Sequence, residues 1–364
     1  MKLQKLINQL EIFAPIAYQE SYDNAGLIVG DATNELTKAL ICFDVTEEVI
    51  EEAKSIGANL IISHHPIIFS GLKKLNGKNY IERIVISAIK NDIALYAMHT
   101  NLDNIINGTN KILSDKLGLK NQQILAPTKE RFRKLVTFCP SAHIDTIRKA
   151  IFDAGAGHIG NYDQCSFNIL GQGSFRAGEN TKAFVGKKGE LHFEDEIRFE
   201  TIFPDYLESK IINALVKAHP YEEVAYDIYK LDNQSMQIGA GIVGELDNKE
   251  DELTFLKRLK EITQAACIRY TRLRNKPIKR VAICGGSGAF LINKAKASGA
   301  DIYITGDVKY HEYFDAEQQL IIADIGHYES EQFTKELLIS YIKEKFPTFA
   351  VQISDMNTNP INYL

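Results

Sequence analysis

A short motif that occurs twice constrains the fold of this 364-residue chain most strongly. The first copy, at residues 53–63, reads AKSIGANLIIS and leads into His64-His65. The second copy, at residues 295–305, reads AKASGADIYIT and leads into Gly306-Asp307, and five of the eleven positions are identical. Because a repeated unit of helix and strand residues indicates a repeated structural unit, the motif predicts two related α/β halves.

Each copy of the motif is followed, after a short strand-like run, by a histidine with an acid four residues later. These pairs are His99 and Asp103 in MHTNLDN, and His327 and Glu331 in GHYESE. His327 opens a predicted amphipathic helix that extends to about Lys345. Since residues four apart lie on one face of a helix, its histidine and acid point the same way. The two halves therefore supply nitrogen and oxygen donors to what we expect to be one shared site.

The histidine pair of the first copy completes this set of donors. His64 and His65 follow the predicted strand Leu60–Ser63, and Pro66 then turns the chain. At a strand end two neighbouring histidines can reach two different ions, and Glu331 can bridge them. Imidazole and carboxylate donors suit Zn, Fe(II), Mn, Co or Ni better than Ca or Mg, and a pair of ions about 3.5 to 4 Å apart activates water. The predicted ligands of two divalent ions, with Zn, Fe or Mn expected, are His64, His65, Asp103, His327 and Glu331.

Two further histidines are candidates for catalytic proton transfer. His99 is a metal ligand, a partner of a ligand or a proton donor, and the last two roles are favoured. His311, in TGDVKYHEYFDA, either approaches the site as a general acid or base or is a surface residue at the start of a helix. Asp307 takes the place of His65 in the second copy, and we expect it to cap the next helix rather than to support a ligand.

Two other patterns have a structural and a functional interpretation. Residues 285–288, GGSG, follow a buried strand and form either a phosphate cradle or, as we favour, a tight turn. The segment AHPYEEVAYDIY, at residues 218–229, contains His219 beside a proline. A histidine–proline pair usually shapes a turn, and we favour that role for His219 over ligand binding.

The order of the predicted elements divides the chain into three segments. Residues 1–125 and 236–364 alternate strands with helices, which predicts mostly parallel sheets covered on both faces. Residues 126–235 begin at a predicted linker, Ala126-Pro127, and follow the order β-α-β-β-α-β of ferredoxin-like domains. The predicted fold class is therefore α/β, with two pseudo-repeated halves around a dinuclear metal site and an inserted ferredoxin-like α+β domain.

Composition excludes several classes of protein. The formal net charge of -5 argues against a general nucleic-acid binder. The five cysteines are dispersed without a C-x-x-C pair, which argues against a thiolate zinc finger and fits the reduced thiols of a cytoplasmic protein. The N-terminal residues predict an amphipathic helix rather than a signal peptide, and we expect no membrane partner because apolar runs of about 20 residues are missing.

Several motifs together carry a resemblance to a known family. SHHPIIF, MHTNLDN, YITGDVKYHEYFDA and IGHYESEQF, with YDNAGLIVGD, resemble the GTP cyclohydrolase 1 type 2 homologue family, also called dinuclear metal-centre hexameric proteins. The resemblance covers the first and third segments nearly throughout. The middle segment, with HPYEEVAYDIY, is similar to the PII-like domain of the longer bacterial branch. The resemblance implies the five ligands given above, with Glu331 bridging, in a homohexamer built as a trimer of dimers.

Two functional hypotheses follow from the resemblance and the donors. In the first, the chain is a metal-dependent hydrolase that opens the imidazole ring of GTP and releases formate, with His99 or His311 moving protons. A phosphoesterase or an amidohydrolase would use the same ions, and the expected ligand is a nucleotide or another small molecule. In the second, the chain is a non-enzymatic regulatory or scaffold hexamer whose inserted domain responds to a small ligand.

Overall fold

A computed structural model of the chain describes residues 1–129 and 131–364, which contain fifteen strands and eleven α-helices. The strands are β1 (Gly26–Val29), β2 (Lys38–Cys42), β3 (Leu60–Ser63), β4 (Ala94–Ala97), β5 (Lys120–Pro127), β6 (Phe132–Pro140), β7 (Phe167–Arg176), β8 (Leu191–Pro204), β9 (Tyr226–Leu231), β10 (Gly239–Glu250), β11 (Arg269–Tyr270), β12 (Ile278–Ser287), β13 (Ile302–Gly306), β14 (Ile321–Asp324) and β15 (Ala350–Ile353). The helices are α1 (Leu3–Phe13), α2 (Glu47–Ser55), α3 (Tyr80–Lys90), α4 (Thr100–Asp103), α5 (Thr109–Lys116), α6 (Ile144–Asp153), α7 (Glu208–Ala218), α8 (Glu252–Thr263), α9 (Ile292–Ala297), α10 (His327–Glu331) and α11 (Thr334–Lys345).

The first sheet has the strand order β1-β4-β3-β2-β15, and only its edge strand β1 is antiparallel to its neighbour. Side chains of β3 alternate between two buried clusters, as a strand covered on both faces requires. Leu60 and Ile62 pack with α1 and α11, while Ile61 packs with α2 and α3 on the other face. The prediction of a mostly parallel sheet covered on both faces is confirmed for this half.

The second sheet has the order β11-β14-β13-β12-β10-β5, with β12, β13 and β14 parallel. Ile302 and Ile304 of β13 face helices α5 and α8, and Tyr303 faces α9. The repeated sequence motif thus forms an inner strand in each sheet, β3 in the first and β13 in the second. Each inner strand follows a helix, α2 or α9, which confirms the two related α/β units.

The two sheets do not coincide with the predicted halves of the sequence. Strand β15, close to the end of the chain, pairs with β2 in the first sheet, and β5 pairs with β10 in the second. The predicted linker Ala126-Pro127 is wrong, because these residues end β5 and pair with Ala240 and Gly239. Residues Met1–Pro127 and Met236–Leu364 form one compact unit.

Residues Thr128–Ser235 form a second compact unit. Its elements follow the predicted order β6-α6-β7-β8-α7-β9, and its antiparallel sheet has the strand order β7-β8-β6-β9. Helices α6 and α7 bury Ile147, Ile151 and Ile211 against one face of this sheet, around the fully buried Phe199.

Some helix ends follow local sequence signals. Thr46 caps α2 by accepting a hydrogen bond from the amide of Val49, as expected for a threonine before an acidic first turn. The prediction of one helix from His327 to Lys345 is wrong, because α10 ends at Glu331. The carbonyl of Phe333 accepts the amide of Glu336, a tighter turn that restarts the helix as α11. In the described part of the chain, no helix is both long and apolar enough to cross a membrane.

Candidate metal centre

The paired histidines follow β3 at the end of the first sheet. The amides of His64 and His65 both donate to the carbonyl of Phe43, at 3.1 and 3.2 Å, which bends the chain after the strand. The ring of Phe43 stacks on His64, with 5.4 Å between centroids, and meets His65 edge-on at 4.7 Å. This apolar support fixes two adjacent imidazoles in different directions.

Four histidine rings of this region each have their Nδ1 atom at a hydrogen-bond acceptor. The Nδ1–oxygen pairs are His64 with the Met98 carbonyl (2.9 Å), His65 with Asp44 (2.7 Å), His99 with Asp23 (2.7 Å) and His327 with Asp307 (2.7 Å). A carbonyl and an ionised carboxylate can only accept, so each Nδ1 carries the hydrogen. In the neutral form of each ring, Nε2 is then the electron-pair donor, which is the arrangement that metal-binding histidines show.

Three of these Nε2 atoms converge on one oxygen of Glu331. Oε2 of Glu331 lies 3.5 Å from Nε2 of His64, 3.6 Å from that of His65 and 3.1 Å from that of His327. Nε2 of His65 and His327 are themselves 3.2 Å apart. Within the described residues, His64 Nε2, Glu331 Oε2 and Asp103 Oδ1 are buried without a hydrogen-bond partner. Buried donors of this kind require a cation or a proton between them.

The spacing of these donors fits a metal ion. For metal–ligand bonds of about 2.0 to 2.2 Å, the edges of a coordination tetrahedron are about 3.3 to 3.6 Å. The distances around Glu331 span 3.1 to 3.6 Å, and His64 Nε2 lies 3.7 Å from Asp103 Oδ1. The separations of 3.5 to 3.7 Å are longer than most hydrogen bonds and close to the edges of a metal polyhedron, whereas the 3.1 Å between His327 and Glu331 is within hydrogen-bond range.

The donors form two sets that share Glu331. One set is His64, Asp103 and Glu331, and the other is His65, His327 and Glu331. All five predicted ligands are thus brought together, and either set can hold a metal ion. His99 groups with His64 and His65 in a third set, and its Nδ1 atom is held by Asp23.

The carboxylates of this cluster favour the protonated forms of two of its histidines. Burial disfavours charge on His65, but hydrogen bonds to Asp44 and Glu331 outweigh it and raise the pKa of His65 to about 10. Burial likewise opposes charge on His327, whereas Glu331 and Asp307 raise its pKa to about 9. The pKa of Glu331 is lowered despite its burial, because it faces three histidines. A site that retains protons this strongly has the negative charge that a divalent cation needs.

The glycine run at the end of β12 makes room for Glu331. A Cβ atom on Gly286, whose φ is +61°, would lie 2.6 Å from Oε1 of Glu331, and one on Gly285 would lie 2.7 Å from its Cγ. The amide of Gly285 donates to Asn110 and that of Gly286 to Ser330, so neither is directed at a phosphate. The run acts as a tight turn beside Glu331, which confirms the favoured interpretation.

The other candidates lie in different environments. His311 is exposed on a 3-10 helix, Tyr310–Ala316, where its ring contacts Tyr310 and Phe314, and it is not brought to the cluster. Asp307 does not cap that helix, and the capping prediction is wrong. Instead, the Asp307 carboxylate accepts hydrogen bonds from the hydroxyl of Ser287 and from His327. Its backbone φ of +54° directs the side chain towards the end of the sheet.

Two supporting carboxylates were missed by the sequence analysis. Asp44 follows β2, and Asp23 lies in the YDNAG motif, 76 residues from the His99 that it holds. Asp23 also accepts the amide of Thr100, at 3.0 Å. Hydrogen bonds from His99 and Thr100 outweigh burial and lower the pKa of Asp23 to about 2, so it is ionised. The only sequence signal for Asp23 was its place in a motif that carried the family resemblance.

The donors open onto a cleft of about 1250 Å³. Its lining includes five residues of the donor cluster: His65, His99, Asp103, His327 and Glu331. Three exposed aromatic residues, Tyr22, Phe69 and Phe290, and two exposed lysines, Lys73 and Lys74, also line it. A cleft of this size accommodates a small-molecule ligand.

Comparison with known proteins identifies the family. A model of the Duf34/NIF3 (NGG1p interacting factor 3) family matches residues 1–360. Proteins named "GTP cyclohydrolase 1 type 2 homolog" from Halalkalibacterium halodurans and Bacillus subtilis are 39% and 38% identical to the chain, covering 99% of it and 98% of their own lengths. A crystal structure of a Bacillus cereus protein related to NIF3 is similar with a TM-score of 0.86 and 39% identity, covering 100% of this chain and 99% of that one. The chain belongs to the Duf34/NIF3 family.

Proposed function

We propose that the chain is a dinuclear metal-dependent hydrolase. The observation that carries the proposal is the single oxygen Oε2 of Glu331, which lies within 3.6 Å of three histidine Nε2 atoms in two donor sets. One carboxylate shared by two sets is the arrangement that holds two ions close together. His64 and Asp103 would complete one ion's ligands, and His65 and His327 the other's.

Two bound divalent ions would supply a water of lowered pKa and positive charge for a developing oxyanion. The residues around them supply orientation and proton transfer. Asp23 fixes Nδ1 of His99 at 2.7 Å, so His99 presents Nε2 to the cleft that it lines. An imidazole held in this way can accept a proton from the attacking water and return it to the leaving group. His99 is therefore the proposed proton carrier.

The proposed substrate is a purine nucleotide, GTP, and the proposed reaction opens its imidazole ring. The exposed rings of Tyr22, Phe69 and Phe290 offer stacking surfaces for a planar base, and Lys73 and Lys74 offer charge for phosphates. The names of the relatives from H. halodurans and B. subtilis support the same substrate. One water would add at C8, the C8–N9 bond would break to leave a formamide on N7, and a second water would hydrolyse that formamide to release formate and the free amine.

The test is formate release from GTP by anaerobically prepared, metal-loaded protein, beside a verified GTP cyclohydrolase under the same conditions. The proposal expects turnover by the wild type and its loss in Glu331→Ala together with the metal. His99→Gln should retain the metal but lower kcat by about 10²- to 10⁴-fold, because it removes a general acid–base. A wild type that binds two ions and releases no formate contradicts GTP as substrate, and phosphate release from the same nucleotide would instead identify a phosphoesterase.

We propose that the chain assembles as the homohexamer that the family resemblance implies. If the metal-loaded hexamer turns over neither class of substrate, and Glu331→Ala disrupts assembly, the regulatory or scaffold alternative replaces the hydrolase. Light scattering of the wild type and the variant provides that measurement.

A further inference from the structure

The second compact unit contains a cavity of about 660 Å³ that the proposed hydrolase does not use. It lies against the face of the β7-β8-β6-β9 sheet opposite helices α6 and α7. Residues paired across an antiparallel ladder point to the same face. Phe138 pairs with Arg198, and Gly171 with Glu196, whereas the neighbouring Phe199 is buried under the helices. The cavity is therefore on the sheet face that these helices leave uncovered.

Two glycines on one strand shape the floor of this cavity. Gly171 and Gly173 stand two residues apart on β7, so both belong to the cavity face. A Cβ on Gly173 would come within 2.1 Å of Oε2 of Glu196, so any other residue would displace that carboxylate. The floor is thus bare backbone with one acidic side chain laid across it.

The histidine–proline segment whose function the sequence left open forms a wall of the cavity. His219 is buried, and its Nδ1 accepts the amide of Tyr221 at 3.1 Å while its Nε2 donates to the carbonyl of Phe138 at 3.0 Å. This ring therefore ties the segment to strand β6. Tyr221 in turn donates its hydroxyl to Oε1 of Glu196 at 2.8 Å. The turn-shaping role favoured for His219 fits this geometry, and its effect is to position Tyr221 and Glu196.

Aromatic rings and negative charge dominate the lining. Phe175 and Phe184 lie 6.4 and 6.1 Å from Tyr221, between ring centroids, and Phe138 completes the aromatic wall. The acidic lining residues are Glu196, Glu222 and Glu223, and the basic ones are Arg176 and Arg198. Three acidic and two basic side chains leave one negative charge in excess on the lining; Arg198 also contacts Glu200 at 2.8 Å, a carboxylate that Lys134 contacts at 2.7 Å.

We propose that this cavity binds a small organic cation, an amine or quaternary ammonium carried on an apolar body. Aromatic faces attract ammonium groups through their quadrupoles, and a nearby carboxylate adds a charge of the opposite sign. The ammonium group lies against Glu196 and Tyr221, and the apolar body covers the glycine floor. The volume is that of a small-molecule site, and the proposal does not depend on the function of the metal centre.

The experiment is isothermal titration of the full-length protein with three probes of similar size: phenethylamine, 2-phenylethanol and phenylacetate. The amine should bind about tenfold more tightly than the neutral alcohol, and the carboxylate most weakly. Binding should persist in the presence of a chelator, which separates this cavity from the metal cleft. No saturable binding of the amine, or equal affinities for amine and alcohol, overturns the proposal.

Variants locate the binding. Glu196→Gln should lower the affinity for the amine about tenfold and leave the affinity for the alcohol unchanged. Asp195→Asn is the matched control, because Asp195 precedes Glu196 on β8, is exposed and does not line the cavity. Tyr221→Phe, which removes only a hydroxyl, gives a second test if Glu196→Gln does not fold. Equal effects of Glu196→Gln and Asp195→Asn would overturn the assignment to this cavity.

Discussion

Replacing Asp44 by asparagine should weaken the binding of one metal ion and leave the binding of the other unchanged. Oδ1 of Asp44 lies 2.7 Å from Nδ1 of His65, and its Oδ2 accepts the hydroxyl of Thr358 at 2.9 Å. Asparagine keeps the size and one acceptor but removes the negative charge that makes His65 a better ligand. Loss of such a supporting carboxylate typically costs about 10- to 100-fold in metal affinity. That range corresponds to about 1.4 to 2.7 kcal/mol of binding free energy.

The selectivity of the effect follows from the partner of the other histidine. Nδ1 of His64 is held by the main-chain carbonyl of Met98, which the substitution does not alter. A competitive titration of zinc against a chromogenic chelator resolves the two stepwise constants. We expect only one constant to fall in Asp44→Asn and neither to fall in Asp195→Asn, the same change at an exposed site. Equal loss in both constants, or a change below about twofold, would refute the division of the ligands into two sets.

Two further predictions concern the glycine turn and the protons of the site. Gly286→Ala should lower the metal content although no ligand is removed, since the added Cβ would lie 2.6 Å from Glu331. Gly299→Ala is the control, because Gly299 has a similar φ but open space around it. Both variants should lose about 1 to 2 kcal/mol of stability in urea unfolding, and equal metal content in the two would count against the crowding argument. Without metal, the pKa values of His65 and His327 are raised to about 10 and about 9 from an ordinary 6.5. Protonation of these two histidines therefore stabilises the folded protein, and this contribution is fully present at pH values below 6.5. This stability should therefore be lost as pH rises through 9 to 10, while zinc affinity rises over the same range. The measurement is the midpoint of urea unfolding in the presence of a chelator. A midpoint that stays constant from pH 6 upwards would contradict the charge assignment.

Local signals in the sequence predicted most of the elements, because a strand such as β3 or a capped helix such as α2 depends on neighbouring residues. The exchange of β5 and β15 between the sheets was not predictable in this way. It depends on pairing between residues far apart in the chain, such as Ile41 with Ile353. The break between α10 and α11 was not predictable from the sequence, because hydrophobic periodicity continues across Phe333.

The candidate ligands were accessible from sequence because histidine–acid spacing repeats in both halves. Their supporting carboxylates were not. Asp23 and Asp44 have no spacing relation to the histidines that they hold, and only the fold brings them within 2.7 Å. Asp307 could have been assigned from its position in the repeat, where it replaces His65, but helix capping was the stronger local signal.

Metal content per chain is the most direct test of the shared Glu331. Protein purified anaerobically is analysed for bound metal as the wild type, His65→Ala and Glu331→Ala. The two donor sets predict about two equivalents in the wild type, about one in His65→Ala, and less than one in Glu331→Ala, because that residue belongs to both sets. Zero or one equivalent in the wild type, unchanged by either substitution, would contradict a dinuclear centre built on Glu331.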